Sequence, residues 1–259
     1  MITFEDDSVI IATSSMNDGA MGSSQNPGPV DDKHPEGRYK ANRDKFVSSL
    51  KLNPARVVML GLIQGNRVAT DKEVSTSQCI PDTDAAVWES HPDANPVVAV
   101  SHADCIGYAI LGPGVLAIGH AGWRGLLGNI VLKTIADIKQ AYGVNPADLT
   151  VFTSPFIQMC HFEVGADDPE GGVARYEKEE YGRYIMTIDG NPHVDLAGIF
   201  REQCVQDMKI PQENVRVSPE CTYCSWEKLG GVGYWSARRA KHSGQPTEGR
   251  NNITVAAFK

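Results

Sequence analysis

Short apolar runs separated by Gly or Pro recur along the chain from residue 56 onward. They are four to eight residues long, rich in Val and Ile, and nearly uninterrupted by polar positions. This pattern is typical of strands that are covered on both faces. The predicted strands are RVVMLGLI (56–63), PVVAVS (96–101), GYAILG (107–112), VLAIGH (115–120), LTVF (149–152) and NVRVS (214–218).

Two segments show the three- and four-residue apolar spacing of amphipathic helices. The first spans residues 127–142, and Gly143 follows it as the glycine that commonly ends a helix. The second spans residues 194–210 and ends at Pro211, because proline cannot continue a helix. Strands and helices alternate without a linker or an internal repeat, so we predict an α/β fold with a layered sheet.

A stretch at about 17–41 is poor in apolar side chains and rich in Gly, Ser, Asn, Pro and charge. It predicts a long irregular loop that leads into a short helix at 42–52. The length of the chain allows one large domain, and no shift in composition marks a boundary. We therefore expect residues 1–259 to form a single domain.

Composition and charge narrow the classes of protein and partner. The 259 residues include 24 Lys and Arg against 32 Asp and Glu, a formal charge of −8, which argues against broad nucleic-acid binding. The longest uncharged apolar stretch, from Ile106 to Gly119, has 14 residues, whereas a membrane span needs about 20. The N-terminal MITFEDD has acids where a signal peptide has Lys or Arg. We expect a cytoplasmic protein with neither a nucleic-acid nor a membrane partner.

The most informative motifs are SHADC (101–105) and HAGWRG (120–125), each at the end of a predicted strand. Loops at strand ends gather functional groups in α/β proteins. GWRG leads into the predicted helix, so the backbone N–H groups of the helix start, together with Arg124, form a candidate anion site. A guanidinium holds a phosphate or carboxylate through two parallel hydrogen bonds.

Cys105 and His120 suggest two chemistries. Both are candidate zinc ligands, since a catalytic zinc takes three protein ligands and keeps an open position. Alternatively, His120 activates Cys105 as the nucleophile of a metal-free hydrolase or amidase, and Asp104 or another group orients the imidazole. The residues alone leave both alternatives open.

Several motifs, in this order along the chain, resemble those of the laccase-domain family. That family is named for polyphenol oxidase activity and was later described as zinc-dependent purine nucleoside phosphorylases. HAGWRG together with ADC is specific, whereas the other motifs are short. The motifs are ANR (41–43), DAAV (84–87), SHADC (101–105), HAGWRG (120–125), HFEVG (161–165), CT (221–222), YWSARR (234–239) and GR (249–250).

The resemblance implies a single α/β domain related to the catalytic domain of cytotoxic necrotizing factor toxins. It also implies a zinc site of His, Cys and His that supports phosphorolysis of adenosine, inosine, guanosine and methylthioadenosine, with adenosine deamination as a further activity. Carried onto this chain, Cys105 is the family cysteine and His120 is its second histidine. The implied partners are a purine nucleoside and phosphate, with Arg124 or Arg43 as the candidate phosphate-binding residue.

The first family histidine has no counterpart in this chain. The family has Gln-x-His-Gly at the end of an early strand, whereas LIQGNRV (62–68) places Gln64 at the histidine position. An amide oxygen is a weaker zinc ligand than imidazole, so we expect zinc to be weakly held or absent and Gln64 to contact substrate instead. His102 is the candidate replacement ligand. A non-catalytic relative that binds a ligand is a further alternative.

Two other interpretations concern metals. Cys160, His161, Cys221 and Cys224 form a second candidate metal set, although packing is the preferred role for each from the sequence. A multicopper cluster needs about ten histidines with His-x-His pairs. The chain has seven histidines and no such pair, which argues against a multicopper centre.

Overall fold

The computed structural model describes residues 2–23, 26, 28–91, 95–166, 168, 170–226 and 232–259. The strands in these segments are β1 (Ile2–Glu5), β2 (Val9–Thr13), β3 (Val57–Leu60), β4 (Val68–Ala69), β5 (Cys79–Ile80), β6 (Ala85–Glu89), β7 (Val97–His102), β8 (Ile106–Gly112), β9 (Val115–Ala121), β10 (Thr150–Thr153), β11 (Ile185–Ile188), β12 (Asn191–Val194), β13 (Val215–Arg216) and β14 (Asn252–Phe258). The α-helices are α1 (Arg38–Ser49), α2 (Asp71–Thr76), α3 (Trp123–Leu127), α4 (Ile130–Tyr142), α5 (Val173–Lys178), α6 (Leu196–Glu202), α7 (Thr222–Ser225) and α8 (Ala237–His242). None of the helices in the described segments has the length and apolar character that crossing a membrane requires.

The strands form two six-stranded sheets. The first has the order β1-β2-β14-β7-β3-β5 and the second has the order β13-β10-β8-β9-β6-β4, while β11 and β12 pair as a separate hairpin. Val98 and Ala256 of the first sheet pack with Ile118 of the second, so one core lies between the sheets. Helix α1 covers the outer face of the first sheet, and α4 and α6 cover that of the second. The result is a four-layered α/β arrangement that confirms the predicted fold class.

This layering explains the uninterrupted apolar runs. Each sheet is covered on both faces, so β7, β9 and β14 are buried along their whole length. All six predicted strands are present, although β13 keeps only Val215–Arg216 of the predicted run at 214–218. Eight strands in the described residues were not predicted: β1, β2, β4, β5, β6, β11, β12 and β14. Of these, β14 lies between β2 and β7 inside the first sheet.

The predicted helices differ from the structure mainly at their ends. The pattern at 127–142 becomes α3, a break at Asn129, and then α4, which ends where Gly143 adopts a left-handed φ of 68°. The pattern at 194–210 becomes α6 followed by a π-helical turn at Gln203–Asp207. Helix α1 begins four residues before the predicted 42–52 segment.

The predicted loop at about 17–41 is irregular before α1, except for a single 3₁₀ turn, and its residues 24, 25 and 27 lie outside the described residues. Arg43, on the buried side of α1, donates hydrogen bonds to the carbonyl oxygens of Met21, Ser23 (3.4 Å) and Asn26 (3.3 Å). The guanidinium of Arg43 therefore holds the loop against α1. The extent of one domain over residues 1–259 stays a prediction.

Candidate functional site

Three neighbouring strands of the second sheet bring Asp84, Cys105 and His120 together. Asp84 directly precedes β6, Cys105 directly precedes β8, and His120 lies in β9 between them. In the antiparallel ladders His120 pairs with Gly107 of β8, and its backbone N–H donates to the carbonyl oxygen of Asp84 at 2.7 Å. Backbone pairing thus places these three residues at one end of the sheet.

Gly122 marks the point where the side chains converge. A Cβ atom on this glycine would lie 3.2 Å from Cys105 Sγ, 3.4 Å from His120 Cε1 and 3.9 Å from Gln64 Oε1. The backbone of Gly122 has φ −69° and ψ 170°, an extended conformation that other residues also adopt, so the backbone does not require glycine here. Because Gly122 has no side chain, Cys105, His120 and Gln64 can approach one another around this position.

Gln64 reaches this position from a constrained turn. Its φ of 58° is left-handed, and its backbone N–H and that of Gly65 each donate to the Asp84 carboxylate at 2.9 Å. The carboxylate therefore positions the turn that carries Gln64 as well as the strand end that carries His120. This placement is the one expected if Gln64 stands where the family has its first histidine.

His120 is buried and lies against two acidic groups. Its Nδ1 is 3.4 Å from Asp84 Oδ1. Burial alone would lower the pKa of His120, but Cys105 and Asp84 outweigh burial and raise it to about 9. Cys105 and the buried Asp84 carboxylate therefore both favour the protonated form of His120.

His102 has the opposite electrostatic character. Burial, with a smaller contribution from the charge of His120, lowers the pKa of His102 to about 3. Its Nε2 lies 2.8 Å from Thr254 Oγ1, so this ring is a neutral hydrogen-bonding group inside the protein.

Asp84, and not the sequence candidate Asp104, is the carboxylate that lies against His120. Asp104 faces away from His120: its Oδ1 accepts from Thr222 Oγ1 and its Oδ2 from the backbone N–H of Arg238, each at 2.7 Å. It ties the CT and YWSARR motifs to the strand end beside Cys105. The signal for Asp84 was its place in DAAV, directly before a strand, but pairing of that strand with β9 was not predicted.

The two predicted anion-binding arginines lie in different surroundings. Arg124 is partly exposed, pairs with exposed Glu170 at 2.8 Å and lies over the ring of Trp123. It is two residues from Gly122 and can exchange this surface ion pair for a ligand. Arg43 is buried against loop carbonyls, where burial lowers its pKa. Its contacts fit an anchoring role.

A zinc ion fits poorly between Cys105 and His120. Among the described residues, no third His, Cys, Asp or Glu forms with them a group whose ligand atoms all lie within 4.8 Å of one another. His102 is thus not in such a set, and Gln64 offers only an amide oxygen. A catalytic zinc needs three strong ligands, so this donor set does not supply a tight site.

A different Cys/His cluster does assemble, although the sequence favours separate packing roles for its members. The ligand atoms of all four residues lie within 4.8 Å of one another, a spacing that can hold a metal ion. The four residues are Cys160, His161, Cys221 and Cys224.

An open cleft of about 860 Å³ lies beside Asp104, the residue before Cys105. Phe162 and Val164 provide apolar surface in it, and Arg238 and Lys241 provide positive charge. Its size falls in the range of small-molecule sites. Neither Cys105 nor His120 is among the described residues that line it. The cleft therefore adjoins the Cys105–His120 site without containing it.

The fold and this site define an α/β protein with a Cys–His–Asp centre at a strand end. A sequence profile of the family described as multi-copper polyphenol oxidoreductase laccase matches residues 21–255. The chain therefore belongs to the laccase-domain family, as its motifs predicted.

Relatives of known name and structure agree with this membership. The chain is 30% identical over 189 residues to a purine nucleoside phosphorylase of Streptomyces coelicolor, covering 72% of this chain and 73% of that protein. It is 29% identical over 208 residues to a purine nucleoside phosphorylase of Streptomyces griseus, covering 79% and 78%. The crystal structure of the hypothetical protein YfiH of Bacillus licheniformis superposes with a TM-score of 0.75 at 20% identity, covering 97% of this chain and 93% of that one.

Proposed function

We propose that this protein is a purine nucleoside phosphorylase whose reaction takes place at Cys105 and His120. The observation that carries the proposal is the convergence of Cys105, His120 and Gln64 on one position beside Gly122. The names of the Streptomyces relatives supply the substrate class. Adenosine, inosine, guanosine and methylthioadenosine are the substrates to test.

Phosphorolysis places two demands on the residues of the site. A phosphate oxygen bonds to C1′ of the ribose while the bond from C1′ to the purine nitrogen breaks, and its electron pair leaves with the purine. The departing purine needs a proton, which the imidazolium of His120 can donate because its pKa is about 9. Asp84 holds the ring, and after donation His120 recovers its proton from solvent or phosphate.

The other residues have binding roles. The Gln64 amide can both donate and accept hydrogen bonds, which suits the heteroatoms of a nucleoside. Arg124 is the candidate for phosphate, because its guanidinium is near the site and its present partner Glu170 is exposed. The cleft beside Asp104 offers Phe162 for stacking and Lys241 for charge. Cys105 contacts His120 and stabilises its charged form.

The proposed reaction has no step that requires a metal ion. The residues at the site fit a weakly held zinc or none, and the ligand count argues against a multicopper cluster. The acid–base chemistry above uses only side chains of this chain. Adenosine deamination and a cytoplasmic location stay predictions from the sequence.

A metal-free cysteine hydrolase is the second candidate, and the contact of Asp84 with His120 favours it. Nucleophile, base and orienting group stand in the order Cys105, His120, Asp84, which is the arrangement of covalent hydrolases. In that case iodoacetamide would label Cys105 rapidly at neutral pH, and labelling would abolish hydrolysis of an amide or ester substrate. Slow labelling of Cys105 would oppose this alternative.

The two functions separate in a product assay. Purified protein would be incubated with each nucleoside with and without phosphate, and purine base, ribose 1-phosphate, ribose and ammonia would be measured. Phosphorolysis predicts base and ribose 1-phosphate in equal amounts, and only with phosphate present. Base release that is independent of phosphate, or no base release, would contradict it.

Gly122→Ala is the matched structural variant. Alanine tolerates the backbone angles of Gly122, but its methyl group would lie 3.2 Å from Cys105 Sγ and occupy the position on which the three side chains converge. We expect phosphorolysis to fall by at least about tenfold with an unchanged circular dichroism spectrum. Gly182→Ala serves as a control for adding a methyl group, since the φ of Gly182 is not left-handed and the nearest atom to its Cβ position is Cγ of the exposed Glu177 side chain, at 3.3 Å.

A further inference from the structure

Cys160, His161, Cys221 and Cys224 form a compact cluster apart from the residues proposed for catalysis. Cys160 Sγ lies 3.7 Å from Cys224 Sγ, and His161 Nδ1 lies 3.2 Å from each of these sulfurs. All four ligand atoms fall within 4.8 Å of one another. Three sulfurs and one imidazole nitrogen therefore lie close enough together to bind a single ion.

These distances match the edges of a zinc tetrahedron. With Zn–S bonds of about 2.3 Å and Zn–N bonds of about 2.0–2.1 Å, neighbouring sulfurs are about 3.8 Å apart and sulfur and nitrogen about 3.6 Å apart. The observed sulfur–sulfur distance agrees closely, and the sulfur–nitrogen distances need to lengthen by only a few tenths of an ångström. A disulfide would instead bring two sulfurs to about 2.05 Å and leave the other two ligands unused.

The backbone brings the two halves of the cluster together independently of any metal. Cys221 forms a parallel bridge with Phe156, and the backbone N–H of Thr222 donates to the carbonyl oxygen of Phe156 at 3.1 Å. The N–H of Gln158 also donates to Cys221 Sγ at 3.4 Å. Cys221 and Cys224 stand one helical turn apart at the start of α7, so both sulfurs face the turn that carries His161.

Surrounding groups hold the histidine in its ligating orientation. The His161 ring stacks on Tyr223 with centroids 4.0 Å apart and an interplanar angle of 15°. Arg238 Nη1 donates to the carbonyl oxygen of His161 at 3.2 Å. Contacts of this kind orient metal ligands before the ion binds.

We propose that Cys160, His161, Cys221 and Cys224 bind one structural Zn²⁺ ion through three sulfurs and His161 Nδ1. The four protein ligands fill the coordination sphere, so this zinc has no open position for substrate. Zinc replaces the thiol protons, which pass to solvent, and no electron transfer is involved.

The zinc has a positioning effect on the neighbouring site. Thr222 lies between two of the ligands in sequence, and its hydroxyl donates to Asp104 Oδ1 at 2.7 Å. Asp104 directly precedes Cys105. A metal that fixes α7 therefore also fixes the strand end that carries the candidate catalytic cysteine, and this holds whatever reaction that cysteine supports.

The test is zinc content, measured by elemental analysis after dialysis against a moderate chelator. We expect about one zinc per chain in the wild type and loss of that zinc in Cys224→Ser. Cys79→Ser is the matched control, because Cys79 lies in β5 and outside the cluster. The double variant Cys105→Ser, His120→Ala should keep its zinc, which separates this site from the proposed catalytic one.

Cobalt gives a second readout on wild-type protein in case Cys224→Ser does not fold. Co²⁺ added to zinc-depleted protein should give the intense d–d bands of a tetrahedral site and a thiolate charge-transfer band, and added Zn²⁺ should abolish both. The proposal is overturned if the wild type binds neither ion. It is also overturned if zinc is lost only in the Cys105 and His120 variant, or if denatured protein has two thiols fewer than its six cysteines because a disulfide has formed.

Discussion

Replacing Gln64 with histidine should create a zinc site at Cys105 and His120. A Cβ atom on Gly122 would lie 3.9 Å from Gln64 Oε1 and 3.2 Å from Cys105 Sγ, so the end of the Gln64 side chain is already close to the cysteine. Histidine is among the residue types that tolerate the left-handed backbone observed at Gln64. Gln64→His therefore completes a His, Cys, His set with an open fourth position, the arrangement of a catalytic zinc.

The expected gain follows from the energy of one ligand. Four-ligand structural zinc sites bind with about 10–16 kcal/mol, so one strong ligand contributes on the order of 3 kcal/mol. At about 1.4 kcal/mol per factor of ten, the zinc Kd at this site should fall by about 100-fold. The rotamer freedom that the new histidine loses when it binds zinc makes the fall in Kd smaller.

The assay must separate this zinc from the one proposed at the second cluster. Kd would be measured by competition with a chromophoric chelator in the Cys224→Ser background, where the other cluster lacks a ligand. Ile63→His is the matched control, because Ile63 is adjacent in sequence and 55% exposed. Equal zinc affinity of the Gln64→His and Ile63→His proteins would show that residue 64 does not face Cys105 and His120. Tight zinc that depends on Cys105 in the unmodified chain would show that another residue already completes the site.

Three further variants test individual charged residues, two at the site and one beneath the N-terminal loop. The pKa of His120 is raised from 6.5 to about 9, so protonation of His120 stabilises the folded protein fully below pH 6.5. The melting temperature should therefore fall as the pH rises through 9. A His120→Gln protein, melted over the same pH series, should lose this dependence. Arg124→Lys keeps the positive charge but removes the two parallel hydrogen bonds of the guanidinium, so KM for phosphate should rise several-fold while Tm stays constant. An unchanged KM would show that the HAGWRG turn has only a structural role. Arg43→Met removes the anchor beneath the loop and should lower the free energy of unfolding by about 2–3 kcal/mol in urea titrations, whereas a selective rise in KM for phosphate would restore it as an anion-binding residue.

Local patterns predicted six of the fourteen strands in the described residues, including the central strands β7, β8 and β9. Runs such as VLAIGH are apolar throughout because both faces of each sheet are covered, and this requirement is visible in the sequence. Eight of the fourteen strands in the described residues were missed, and β14 is the one among them whose partners lie farthest away in sequence. β14 joins β2 and β7 across most of the chain, and no local signal specifies such a partner.

The candidate site was predictable to the same extent. Cys105 and His120 were found because each stands at the end of a strongly patterned strand. Asp84 was missed as their partner because its contact with His120 depends on the register between β6 and β9. That the four Cys/His residues form one cluster was not expected for the same reason. The bridge between Phe156 and Cys221 joins segments that are 65 residues apart in the sequence.

The measurement that tests the central claim most directly is phosphate-dependent release of purine base by the wild type and by Cys105→Ala and His120→Ala. We predict that base and ribose 1-phosphate form together in the wild type, and that each variant loses at least about 100-fold in kcat/KM while its circular dichroism and zinc content stay unchanged. Cys79→Ala should match the wild type, since Cys79 lies in β5 of the other sheet. Wild-type turnover in either variant, or a wild-type protein that releases no base from any of the four nucleosides, would contradict the account.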